Sequence, residues 1–413
     1  MATAEILSQG DEVVTGQTVD TNAAWLAERL TELGLVVIGH RSVPDDLHAI
    51  ARAFQEAAGR TQLCVCTGGL GPTTDDLTAQ ALATAFSRPL ELRQDALEQV
   101  EQRFRTFGRP MPAINRKQAL LPAGCLLLEN LWGTAPAFAL QERGTWFICL
   151  PGVPHEMRSL FHERVISLLS ARLHLQPARL VTLRATGLGE SALQERLGDF
   201  APEPAVLGYR ALTAEVQLKL RFPPECSDDL VERIVADAAQ RVGSPVFAIQ
   251  GAGNGLQGDL AQVVGAMLAH RGHTVATAES CTGGRLAAAF TGVPGSSAWF
   301  QQGVVTYSNA SKQALLGVPE PLLVEHGAVS APVAIAMASG ARDRAGTTWA
   351  LATTGIAGPD GGTADKPVGL VHLAVAGPNG VQHRELRYGG ARDRVQALAS
   401  AGALDLLRRA LIA

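Results

Sequence analysis

Residues 62–86 read QLCVCTGGLGPTTDDLTAQALATAF. After Gln62 the stretch has four residues of continuous apolar or thiol character, too short for a buried helix and suited to a strand covered on both faces. It breaks at Gly68, Gly69, Gly71 and Pro72 and resumes at 77–86 with helix-forming Ala, Leu and Gln. A buried strand entering a glycine turn and then a helix is half of a crossover unit. The preceding residues supply the other half: strand 5–7, helix 21–33 with Trp25, Leu26, Leu30 and Leu33 on one side, strand 35–39, and helix 45–58 led by Pro44, Asp45 and Asp46. Strand, helix, strand, helix predicts a parallel sheet flanked by helices, a three-layer α/β domain. Strand 146–150 continues it and leads through Pro151-Gly152-Val153-Pro154 into a helix from His155, closing a first domain at 1–173.

The rhythm then changes. Strand 180–185, helix 191–197, strands 205–209 and 215–222 and helix 230–242 predict a small α+β domain over 178–250, in which no chemistry is legible. The run 250–255, QGAGNG, reads as a linker. From 255 to 413 the alternation returns, with helix 256–270, strand 274–278, a turn into a helix from Arg285, helix 333–345, strands 348–352, 369–376 and 380–387, and helix 395–411. This is a second α/β domain.

Composition narrows the classes of function. The 413 residues exceed what one core normally supports, and 46% hydrophobic with 18% charged residues fits a globular chain. A net charge of −4 argues against direct nucleic-acid binding, which needs clustered positive charge. No apolar run reaches membrane-spanning length and no signal peptide opens the chain, so a cytoplasmic protein is expected. The six Cys sit mostly in strand-like runs and read as buried free thiols rather than a disulfide or zinc framework. Of 35 basic Lys and Arg residues only four are Lys (Lys117, Lys219, Lys312, Lys366), so each invites a specific reason.

Ser280 stands at a strand-to-helix junction ahead of Cys281, Thr282, Gly283 and Gly284. Backbone N–H groups at such a junction suit an oxyanion, and a serine attacking an amide needs a base. Tyr307 and Lys312 follow close together; a desolvated Lys with a lowered pKa takes a serine proton, and Tyr307 is placed to relay it. The same Ser equally suits a helix N-cap. Cys281 is a rival nucleophile, if a His is near it. The loop Thr354-Gly355-Ile356-Ala357-Gly358 offers backbone N–H groups to a phosphate, or is a plain tight loop, and Arg392 adds a bidentate contact. In the first domain, Gly69 and Gly71 permit close backbone approach of a phosphate, while Asp75 and Asp76 either cap the helix or hold a divalent cation.

Five segments in order, AESCTGG (278–284), PGSSAWF (294–300), GVVTYSN (303–309), GAVS (327–330) and TGIAGPDGG (354–362), closely resemble the C-terminal domain of the competence/damage-inducible protein CinA family, also found alone as a nicotinamide mononucleotide deamidase. The resemblance implies a Ser280–Tyr307–Lys312 amidase that forms nicotinate mononucleotide and ammonia without a cofactor. It implies Thr282, Gly283, Gly284, the 354–358 loop and Arg392 around the substrate. Relatives carry a second Arg near Gln396, and Arg394 is the candidate to replace it.

Gly10 to Gly16, Asp20-Thr21-Asn22, the 68–76 loop, 115–119, Gly133-Thr134-Ala135-Pro136 and 150–157 resemble the same family's molybdopterin-binding-like N-terminal domain. There the resemblance implies metal-dependent hydrolysis of ADP-ribose, with Asp75, Asp76 and Glu12 near a divalent metal and Gly69, Gly71 and Thr134 near phosphate. A homodimer is expected by the same analogy. Two other readings stay open: a deamidase whose first domain only binds a pterin or nucleotide, and a non-catalytic regulatory protein.

Overall fold

The computed structural model describes residues 2–253 and 256–412. Asn254 and Gly255 of the expected linker lie outside the described residues. The chain divides into two compact units, Met1–Arg179 and Leu180–Ala413.

The first unit is built on a six-stranded sheet. Its strands are β1 (Thr3–Gln9), β2 (Val36–Val43), β3 (Leu63–Thr67), β6 (Leu126–Leu128), β7 (Ala137–Glu142) and β8 (Thr145–Leu150), in the order β2-β1-β3-β8-β7-β6; β4 (Leu90–Leu92) and β5 (Leu120–Pro122) form a separate pair. The first four strands are parallel, as the crossover pattern predicts. The remaining two run antiparallel. The two added strands were not expected from the sequence, and a two-residue hairpin joins β7 to β8. Arg143 (φ 49°) and Gly144 (φ 84°) both take positive φ, the condition for the turn that suits strand twist. Two apolar clusters cover the two faces of the sheet, one around Phe54, Phe138 and Phe147, the other around Leu26, Leu30 and Phe161. Helices Thr21–Glu32 and Leu47–Ala57 are capped by Asp20 and Asp46, whose carboxylates accept from Ala23 and Ala49 N–H at 2.8 Å each. Asp20 is therefore a structural cap.

In the second unit, β9 (Arg179–Ala185), β10 (Val206–Ala211), β11 (Val216–Phe222) and β12 (Val246–Gln250) form a sheet ordered β10-β11-β9-β12, with β10–β11 and β9–β12 paired antiparallel. It packs on helices Glu190–Leu197 and Asp228–Val242 around Phe222, Val231 and Ala238. A five-stranded sheet follows, of β13 (Val275–Glu279), β14 (Phe300–Val305), β15 (Trp349–Gly355), β16 (Leu370–Gly377) and β17 (Gly380–Arg387), ordered β14-β13-β15-β16-β17. Strand β13 is parallel to both neighbours, and the last two strands are antiparallel. Helices Leu260–Arg271, Arg285–Thr291 and Arg392–Ile412 pack on one face through Val264, Leu286 and Leu407, and helix Ala331–Ala345 covers the other through Met337. The helix expected from 256 begins at 260, because Asp259 caps it and Gln262 reaches back to the Asp259 N–H, a capping box.

Both units place their loops alike. Chains leave β1, β3 and β8 in the first, and β13 and β15 in the second, at the carboxyl ends of parallel strands, where crossovers diverge to opposite sides and open a crevice. No helix among the described residues is long and apolar enough to cross a membrane.

Candidate active site

Strand β13 ends on Glu279, and Ser280 follows at the open end of the sheet, its N–H held by the Thr353 carbonyl of β15 at 3.0 Å. Lys312 lies on helix Asn309–Leu316, which starts at a Ser308–Ser311 capping box. That helix carries the lysine inward until 1% of it is exposed, with Nζ 3.1 Å from Ser280 Oγ and 2.7 Å from the Thr306 carbonyl. Burial, which disfavours the charged amine, lowers its pKa from the ordinary 10.5. A serine hydroxyl beside a desolvated amine is a nucleophile–base pair.

Tyr307 is arranged differently from its expected relay role. Its carbonyl lies 3.5 Å from Lys312 Nζ, but its side chain is 64% exposed and its hydroxyl accepts from Arg392 Nη2 at 3.0 Å. Arg392 also donates to the Gly358 carbonyl at 2.8 Å, tying Tyr307 to the 354–358 loop. The hydroxyl therefore belongs to the rim of the site, beside a guanidinium.

Glu279 is the residue that sequence reasoning passed over. Fully buried, its carboxylate accepts from Thr282 Oγ1 at 2.7 Å and from the N–H groups of Gly284, Leu286 and Ala287 at 2.9, 3.1 and 2.8 Å. Its oxygens consume the donors at the start of helix Arg285–Thr291, so the Gly284 amide does not face a substrate as expected. The Gly283 N–H is likewise turned back to the Ser280 carbonyl, and the Thr282 hydroxyl is shared between Glu279 and Thr353. What remains are the N–H groups of Cys281 and Thr282, which bond to no other described residue. Gly283 (φ 62°) and Gly284 (φ 98°) are required by their left-handed backbone rather than by space. A signal was present in the sequence: a Glu ending an otherwise apolar strand must find donors. Glu279→Ala leaves the N–H groups of Gly284, Leu286 and Ala287 unpaired and is expected to cost about 3–5 kcal/mol of stability, with Glu279→Gln intermediate. Denaturant unfolding checks this; an Ala variant of unchanged stability refutes the role.

The phosphate loop is also altered. The Ile356 N–H extends the sheet by donating to Leu370 at 2.9 Å, and Thr354 Oγ1 is buried on the Ala328 carbonyl at 2.7 Å. Gly355 pairs with Val371 within the sheet, where a Cβ would strike the Leu370 carbonyl. The amides of Ala357 and Gly358 stay without an acceptor among the described residues. Arg394, expected to replace a missing charge, lies elsewhere: it lines a separate cavity of about 770 Å³ with Arg384, Tyr388 and Leu398. Gln396 instead donates to the Cys281 carbonyl at 2.8 Å.

Cys281 makes a poor nucleophile here. Burial pushes its thiol up to about 12. Nor does a His serve it: His273 accepts from Trp349 Nε1, His372 stacks on His383, and His326 offers its carbonyl to Lys366.

In the first unit the 68–76 loop rims a cavity of about 390 Å³ together with Gln9, Glu12, Asp45, Thr134 and Glu156. Gly69, Gly71, Thr134, Glu12 and Asp75 all line it. Asp76 lines it too. One of its oxygens accepts from the Gly71 N–H and the other from the Thr73 N–H, at 2.8 Å each, so it braces the loop and occupies the amide assigned to phosphate. Among the described residues no group of three or more His, Cys, Asp or Glu could hold a metal. Gln9 and Gln118 were missed. Gln9 packs under Gly69, where any Cβ would collide with it, and Gln118 donates to the Leu70 carbonyl at 3.1 Å.

The architecture and these side chains give a class: two α/β modules, the first with a cavity beside its glycine loop, the second carrying a buried serine–lysine pair. Comparison with known proteins gives the family. Residues 257–411 match the CinA C-terminal domain, and residues 5–171 match the probable molybdopterin binding domain. A CinA-like protein of Anaeromyxobacter sp. (strain Fw109-5) is 46% identical over 410 residues, covering 98% of each chain. Another, from Parasynechococcus marenigrum (strain WH8102), is 44% identical over 422 residues, covering 99% of this chain and 98% of its own. The crystal structure of the competence/damage inducible protein CihA from Agrobacterium tumefaciens is 47% identical, covers 37% of this chain and 94% of its own, and has a TM-score of 0.36. The chain belongs to the CinA family.

Proposed function

We propose that region 255–413 is an amidase that hydrolyses the carboxamide of nicotinamide mononucleotide to nicotinate mononucleotide and ammonia. The observation carrying this reading is the 3.1 Å contact between Ser280 Oγ and the buried amine of Lys312. In its neutral form that amine directs N–H groups at the Thr306 and Tyr307 carbonyls and its lone pair at the serine hydroxyl. Ser280 Oγ attacks the carboxamide carbon, Lys312 accepts the hydroxyl proton, and the N–H groups of Cys281 and Thr282 hold the oxyanion. Lys312 returns the proton to the amide nitrogen, which leaves as ammonia. Water then attacks the acyl-serine ester, giving up a proton to Lys312 that passes back to Ser280. The pyridinium ring withdraws electrons and favours the first attack. Arg392 and Tyr307, on the rim, are placed for the ribose phosphate.

For region 1–173 we infer a cleft that takes a phosphate-bearing nucleotide or pterin, with Gly69 and Thr134 at the phosphate. Hydrolysis of ADP-ribose by a divalent metal would leave Glu12 and Asp75 as the carboxylates for the ion. The commitment of Asp76 to Gly71 and Thr73 favours the binding-only reading. Region 178–250 is assigned a connecting role.

Incubating the full chain with nicotinamide mononucleotide should release ammonia and nicotinate mononucleotide one for one, unaffected by chelator. With ADP-ribose and magnesium, no AMP is expected. Absence of ammonia sinks the amidase; chelator-sensitive AMP overturns the binding-only reading of the first region.

A further inference from the structure

Gln396 lies one helical turn beyond Arg392, so the two side chains are neighbours on one face of the last helix. Its amide is clamped at both ends. The Nε2 donates to the carbonyl of Cys281, next to the serine, and the Oε1 accepts from Arg285 Nε at 3.3 Å. Arg285 opens helix Arg285–Thr291 and is exposed, and its Nε contact leaves both terminal nitrogens without a hydrogen-bonding partner among the described residues. Neither Arg285 nor Arg392 forms an ion pair with any described carboxylate. Glu279, which braces the start of the Arg285 helix, is already saturated by four donors.

Two guanidinium groups thus stand at the starts of two different helices, and an amide one turn beyond Arg392 joins Arg285 to the turn behind the serine. Uncompensated cations held in place by neutral partners suit a dianion, and the guanidinium fork matches the oxygens of a phosphate. We propose that Arg285, positioned by Gln396, is the second phosphate-binding cation of the Ser280 site and sets its preference for a phosphomonoester amide over the uncharged riboside. The inference rests on the amidase reading for its substrate, but not for the anion site itself.

The test compares the full-length protein with Arg285→Ala and Gln396→Leu, using nicotinamide mononucleotide, nicotinamide riboside and inorganic phosphate. Arg285→Ala should raise KM for the mononucleotide by about tenfold or more, as expected for losing a charge-assisted contact. Its kcat on the mononucleotide and its kcat/KM on the riboside should stay unchanged. Gln396→Leu, which frees Arg285, should raise the same KM by a smaller factor. Inhibition by inorganic phosphate should weaken in parallel. Equal effects on both amides, or none on either, overturn the proposal. If the unaltered protein hydrolyses neither amide, the amidase reading fails and calorimetric binding of inorganic phosphate decides alone: affinity lost in Arg285→Ala supports the anion site, and affinity unchanged or absent overturns it.

Discussion

Lys312→Met is expected to lower kcat for ammonia release by about 10⁴-fold, the upper range for losing a positioned general base, while leaving the protein at least as stable as before. Both halves follow from one fact. The amine sits in the core beside Ser280 Oγ with its charge disfavoured by burial. Because its pKa is lowered in the folded state, the unfolded chain binds the proton more readily. Lys312 therefore subtracts stability progressively as pH falls below the unfolded value of 10.5, and the deficit becomes constant below the folded pKa. A Met of similar length removes that deficit, so its gain in Tm should be present at neutral pH and vanish above about 10.5. The rate of the unaltered enzyme should rise with pH through the lowered pKa and then level off, since only the neutral amine accepts the serine proton. Lys312→Arg, permanently charged, should be inactive at every pH. An active Lys312→Met protein, or a rate indifferent to pH, would remove the base from the mechanism.

Ser280→Ala should likewise abolish turnover, to about 10⁴-fold or lower, whereas Cys281→Ala should stay within a few-fold of the parent. The two side chains are neighbours in the chain, but their surroundings separate them. Ser280 has the amine. The Cys281 thiol, pushed up to about 12, has about one part in 10⁵ as thiolate at neutral pH. Its side chain packs in the cluster around Leu286 and Phe290, so its loss should appear as about 1 kcal/mol of stability rather than as rate. Mass spectrometry of the quenched enzyme should find the acyl group on Ser280. Ammonia release retained by Ser280→Ala and lost in Cys281→Ala would reverse the assignment.

Much of the fold was readable because its signals are local. The runs at 62–66 and 146–150 became β3 and β8, and the strand expected at 380–387 became β17. Helix Gln94–Thr106 was overlooked, although Ala96, Leu97 and Val100 are spaced for it; its many charges mask the stripe. Strand β14 was overlooked because it is an exposed edge whose sequence, FQQGVV, has little apolar bulk.

The layered α/β plan and the chemical vocabulary of the site are legible in the residues alone: a serine at a strand-to-helix turn, a scarce lysine, a glycine loop and an arginine at a helix start. Each of these is written in a few consecutive residues. Which groups meet, and which are already spoken for, is settled by folding. Ser280 and Lys312 are 32 residues apart, Thr282 and Thr353 71, Tyr307 and Arg392 85, and Cys281 and Gln396 115. A buried donor or acceptor must be paired, and its partner is selected by packing across that distance. For that reason Glu279 and Asp76 absorb amides that local reading had assigned to ligands, and Cys281 and Thr282 keep theirs.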